Sequence, residues 1–258
     1  MNPATGFFRT LRRHRAFLGV GLTLVATGEL LLRFSGGPAA RASLLDVMLI
    51  VIPLAGLVLG TVRVHDSREV TELLLAQPVA RRRLFVRMYT GIAAPLAIVT
   101  VAGLMLPFAW HGLLRGPDGG LVAVLAVTAA LLVAIASALA FVVGLRIQDR
   151  VRALGVAFGI WFVAALLWDG IVLLLTVLFA NRPVEAPLLA ALALNPLDLA
   201  RVLLLLGTDG AAMLGTTGAV LQDTLGTTAG RLALGAALTL WLVGPLWAAA
   251  RTFTNKDF

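Results

Sequence analysis

The sequence predicts an all-α integral membrane protein with six transmembrane helices, and three observations carry that prediction. Hydrophobic residues make up 60% of the 258 and charged residues only 13%, with a mean hydropathy of +0.97, whereas about 25% of a soluble domain is charged. Six apolar runs are each long enough for the roughly 20 helical residues that cross about 30 Å of hydrocarbon. Basic residues crowd into alternate connections between those runs, as orientation by positive charge requires.

The runs lie near Phe17 to Phe34, Leu44 to Val62, Met88 to Trp110, Leu121 to Leu145, Gly155 to Ala180 and Leu232 to Ala250. Pro53, Pro95 and Pro107 fall inside them, which membrane helices tolerate better than soluble ones. The first run is not expected to be a cleavable signal, because Arg33 closes it, "FSGGPAARA" offers no small-residue cleavage motif, and further spans follow. No repeat or linker marks a second domain, so residues 1–258 read as one unit.

Orientation follows from the cations. Arg9, Arg12, Arg13 and Arg15 precede the first run, Arg63, Arg68, Arg81, Arg82, Arg83 and Arg87 flank the second connection, Arg146, Arg150 and Arg152 the fourth, and Arg251 and Lys256 follow the last. These fifteen stand against six on the other side, Arg33, Arg41, Arg115, Arg182, Arg201 and Arg231. Both termini are therefore expected in the cytoplasm, in the inner membrane. Topology and anionic lipid then account for most of the net charge of +8, and nucleic acid is not expected as a partner.

Two connections stand out. Between the second and third runs, residues 66–87 include "REVTELLLAQPVARRRLF". On a helix, Val70, Leu73, Leu74 and Gln77 share a face, while Arg68 and Glu72 are i, i+4 partners. Pro78 ends that helix, and a basic helix restarts into the third span. A solvated loop with stop-transfer arginines and a helix offered to a cytoplasmic partner both fit these residues.

The other is the outer region 181–231, far longer than "GGPAARA" or "HGLLRGPDGG". Within it, "PLLAALALNPLDLARVLLLLG" reads as an apolar helix ending near Asn195 and a second one that starts with Pro196 at its first position. Asp198 sits near the positive end of the second helix dipole, and Gly207 closes the helix. Both are too short to span and too apolar to float free, so they are expected at the outer membrane face.

The segment "ELLLAQPVARRRLFVRMYTG" resembles the coupling region of the ABC type-2 permeases. Glu72, Leu73, Leu74, Leu75, Pro78 and Arg81 fall on matching positions, although Glu69 and Val70 stand where a Gly-Thr pair is usual. Six spans, cytoplasmic termini, an amphipathic arm over 1–16 and a long fifth connection complete the likeness. The resemblance implies the type-2 exporter-like permease fold, a homodimer, and two copies of a separate ABC ATPase contacted through Glu69, Val70, Glu72, Leu73, Leu74, Gln77, Pro78 and Arg81.

A narrower resemblance is to the NosY-type permeases of nitrous oxide reductase maturation, on an Asp in the fifth span, Asp169, and on Asn195, Pro196, Asp198 and Arg201. It implies that those last four form an outer surface moving a periplasmic partner in copper delivery. An exporter of a lipid, drug or polymer is the alternative within the class.

Glu29, Asp46 and Asp169 lie in or beside apolar spans, where a charge costs about 2.5 to 3.5 kcal/mol and needs a partner or water. Arg33 is one turn from Glu29 and Asp46 is near the interface, but Asp169 has no basic residue in its own span and must find one elsewhere. His14, His65 and His111 stand singly, and Met105 with His111 makes a poor copper site, so no metal is expected. Zero cysteines exclude disulfides, thiolate sites and a cysteine nucleophile. No phosphate-binding Gly-rich loop with Lys occurs, so ATP and Mg are expected on the partner ATPase. An intramembrane enzyme would need paired catalytic groups, which the scattered acids do not form. A scaffold would need no ATPase at all.

Overall fold

The computed structural model describes residues 15–34, 37–75, 80–115, 119–178, 185–206 and 225–255, and these are helical with short turns. In order they form α1 (Arg15–Phe34), α2 (Gly37–Asp66), α3 (Arg68–Leu75), α4 (Arg81–Trp110), α5 (Gly119–Arg146), α6 (Arg150–Phe162), a π-helical segment (Val163–Leu167), α7 (Trp168–Leu178), α8 (Glu185–Ala193), α9 (Pro196–Leu205) and α10 (Thr228–Asn255). Among the described residues, six helices are long and apolar enough to cross a membrane: α1, α2, α4, α5, the α6-to-α7 unit and α10.

The expected spans are all present, with shifted ends. "GGPAARA" is not simply a connection, because α2 begins at Gly37 and runs through it. The fifth span starts at Arg150 rather than Gly155, because Asp149 caps it by accepting a hydrogen bond from the Arg152 amide at 2.7 Å. The basic helix after Pro78 and the third span are one helix, α4. The arm up to residue 14, Gln77, Pro78 and the whole stretch from Gly207 to Thr224 lie outside the described residues.

The bundle is built around α5, the most buried span. Its tightest neighbour is α2, where small residues allow backbone-close packing. A Cβ on Gly56 would come within 2.6 Å of the Ala136 Cβ, and one on Gly60 within 2.6 Å of the Ala140 Cβ. An aromatic cluster joins α4, α5 and α10, with Phe85 ring-centred 5.8 Å from both Phe141 and Phe253. The fifth span differs: only Ala153 and Ala157 are buried on α6, and its apolar residues largely face outward.

One end of the bundle carries α3, the α5-to-α6 turn, the start of α4 and the end of α10. The opposite end carries α8, α9 and the Glu29 ion pairs. A cavity of about 590 Å³ opens between the fifth span and α2, α5, α9 and α10, walled by Trp161, Trp168 and Trp241 among others.

Candidate functional site

At the arginine-rich end, α3 follows α2 after the single turn residue Ser67, whose hydroxyl donates to the Val64 carbonyl at 3.1 Å. Thr71 faces inward, donating to the Ser67 carbonyl at 2.7 Å and lying 3.5 Å from the Met88 sulfur. Glu69, Val70, Glu72 and Leu73 face outward, with Leu73 71% and Val70 57% exposed. Leu74, expected on that face, is only half-exposed and packs with Leu75 against the core, because it stands about 100° round the helix from Leu73.

Arg68 also departs from expectation. Instead of turning along α3 to Glu72, its guanidinium donates to the carbonyls of Gln148 at 2.8 Å, Gly144 at 2.9 Å and Ile147 at 2.8 Å. The last carbonyls of a helix have no partner inside it, and a planar cation there satisfies both hydrogen bonding and dipole. His65 places a ring nitrogen 3.2 Å from the same Ile147 carbonyl, and Arg150 pairs with Asp66 at 3.1 Å. Arg81, expected at the coupling surface, reaches the Thr254 carbonyl at the end of α10 at 3.1 Å.

At the opposite end the local reading of the short helices holds. Asn195 caps α9, accepting from the Leu197 amide at 3.1 Å, with Pro196 at the first helical position. The Asn195 amide also donates to the Ala164 carbonyl at 2.9 Å, inside the π segment of the fifth span. Arg201 donates to Asp169 at 2.9 Å and to Asp198 at 3.1 Å, so Asp169 finds its cation on another helix. Asp46 contributes to the field at Arg201.

These side chains form a joint more than a surface. Asn195 is 2% and Asp198 8% exposed, and Pro196 is buried, so of the four residues expected to meet an outer partner only Arg201 retains partial access. Burial pushes the Asp198 carboxyl up to about 6, with the Asp169 charge acting in the same direction and Arg201 and the Asn195 hydrogen bond opposing. For Arg201 burial acts downward, yet the bond and charge of Asp169, with the charges of Asp198 and Asp46, leave it raised.

Glu29 pairs with Arg33 at 2.6 Å, as one turn of helix predicts, and also meets His111 at 3.3 Å. Sequence reasoning missed the Asp66–Arg150 pair and the Asp149 cap. "QDRVR" before an apolar run was a readable signal for the cap.

Residues 24–258 match the ABC-2 family transporter protein family. Two relatives are described as probable ABC transporter permease protein NosY. The Pseudomonas aeruginosa protein is 30% identical over 249 residues, covering 91% of this chain and 85% of the relative. The Stutzerimonas stutzeri protein is 28% identical over 247 residues, covering 90% and 84%. The chain, a multi-pass membrane protein with six apolar spans, therefore belongs to the ABC-2 transporter family, as a permease subunit of an ABC transporter.

Proposed function

We propose that this permease converts ATP hydrolysis by a separate ABC ATPase into motion of its spans, working as a homodimer with two ATPase copies that hold ATP and Mg. The observation that carries the reading is the short helix α3, which presents Val70 and Leu73 flanked by Glu69 and Glu72 at the arginine-rich end. An exposed apolar pair one turn apart with an acidic rim is chemistry for a groove, and costs free energy if left in water. The excess of arginine at that end supports a cytoplasmic orientation for it and for both termini in the inner membrane, with anionic lipid around the arginines and the ATPase meeting α3 from the same side.

The two NosY relatives support a finer reading: the permease passes mechanical motion to a periplasmic partner in copper-site assembly of nitrous oxide reductase. The buried Asn195, Pro196 and Asp198 would then position the outer helices, with Arg201 at their edge.

Co-purification tests both levels. The detergent-extracted chain is expected to bring down the ATPase encoded beside it, and Val70→Asp with Leu73→Asp to abolish that association without lowering the amount of folded permease. Retained association would sink the assignment of α3. Photo-crosslinkers placed beside Arg201 are expected to capture a soluble periplasmic protein, and their failure to capture one would favour export of a lipid, drug or polymer.

A further inference from the structure

We infer that Arg68 and the Asp66–Arg150 pair are the positioning residues that make the fifth span, rather than the second and third, the lever moved by α3. The inference rests on the proposed coupling to an ATPase and concerns the route within this chain.

The helix α3 is tied at its start to the neighbouring helices. Its start is fastened by three hydrogen bonds from one guanidinium, one to Gly144 in the last turn of α5 and two to Ile147 and Gln148 in the turn that leads into α6. At the last residue of α2, Asp66 holds Arg150, the first residue of α6, at 3.1 Å. The turn between α5 and α6 is short and capped by Asp149, so displacement of its carbonyls displaces the head of α6 with little slack.

Compliance decides where that displacement goes. On the α5 side of the turn, Leu145, Val143 and Phe141 are buried in the densest part of the bundle. On the α6 side, the fifth span buries only two alanines along α6 and none of the π segment, and the 590 Å³ cavity lies along its inner face. A loosely packed element beside a dense one takes up most of an imposed motion. Its far half is then held at two points, the Asn195 amide on the Ala164 carbonyl and Arg201 on Asp169, so tilting of the fifth span carries α9 with it.

The test uses the permease reconstituted with its ATPase subunit in lipid nanodiscs. Because the chain has no cysteine, spin labels at Leu30→Cys and Leu178→Cys, both exposed and at the far end, report on the fifth span against α1. ATP with vanadate is expected to shift the measured distance in the otherwise unaltered chain. Arg68→Ala is expected to lose that shift while the ATPase still co-purifies at the same ratio. Arg68→Lys is expected to lose it too, since one ammonium cannot serve three carbonyls as a planar fork does. Asp66→Arg and Arg150→Asp are each expected to lose the shift and together to restore it, a rescue that a merely structural role would not produce.

If Arg68→Ala retains the shift, the relay is overturned while the coupling reading stands. Loss of ATPase binding in Arg68→Ala would place the residue at docking and overturn the relay equally. Failure of the unaltered chain to bind the ATPase would sink the coupling reading itself, and the relay with it.

Discussion

Arg201 on α9 and Asp169 on α7 meet at 2.9 Å, and the same Arg201 nitrogen lies 3.1 Å from Asp198 one turn back on its own helix. The two acids are not equivalent, because the Asp198 side chain is 11% exposed and that of Asp169 is 53%. Removing the cation therefore harms the buried acid most. Arg201→Met is expected to cost about 2 kcal/mol, the range for a lost hydrogen bond to a charged group. Asp169→Asn, at a half-exposed site screened by solvent, is expected to cost under about 1 kcal/mol. Thermal unfolding of both variants in detergent checks the ranking, and equal losses would contradict it.

The raised Asp198 carboxyl makes stability depend on pH in a stated direction. Its folded value of about 6 exceeds the ordinary 3.8, so between those limits the folded state binds more protons than the unfolded state. Stability from this group is present in full below about 3.8 and is lost as pH rises through about 6. At about 1.4 kcal/mol per pK unit the difference is on the order of 3 kcal/mol. Asp198→Asn, which mimics the protonated acid, is expected to gain on the native chain as pH rises from about 4 to 7. Unfolding midpoints of the two proteins across that range would show it, and parallel curves would not.

Much of this was legible in the sequence, and the division follows the physics. Long apolar spans and the Asn195–Pro196 helix start are local properties, set by hydropathy summed over a window and by capping within two residues. The need of Asp169 for a partner was readable, but the identity of Arg201 depended on how α9 folds against the fifth span. Arg68 was read along its own helix because side chains carry sequence signatures and backbone carbonyls do not. Nothing in "VAALL" distinguishes a π segment from an α-helix, and the neighbouring Asn195 is visible as its partner only in three dimensions.

Two glycines separate close packing from simple flexibility. Gly60 faces Ala140 so closely that any Cβ forces α2 away from α5, whereas a Cβ on Gly159 meets open space. Gly60→Ala is expected to destabilise by about 1 to 3 kcal/mol through overpacking. Gly159→Ala, inside α6 and beside the cavity, is expected to be neutral or to stabilise by up to about 1 kcal/mol from helix propensity. Thermal stability in the same detergent decides between them, and a common sign would refute the packing argument.

Asn195 does two separable jobs, and substitutions can pull them apart. Its side-chain oxygen caps α9 through the Leu197 amide, and its amide nitrogen donates to Ala164 in the π segment. Asn195→Asp keeps an acceptor at the cap but has no donor for the Ala164 carbonyl when ionised. Asn195→Ala removes both, and is expected to cost about 1 to 2 kcal/mol, since the cap alone is worth about 1. Hydrogen exchange distinguishes the variants: Asn195→Asp is expected to loosen the amides of the π segment while α9 stays protected, and Asn195→Ala to loosen both. Unchanged exchange at residues 163 to 167 in Asn195→Asp would mean that the fifth span holds its π geometry without α9, and that the joint between them is not what shapes it.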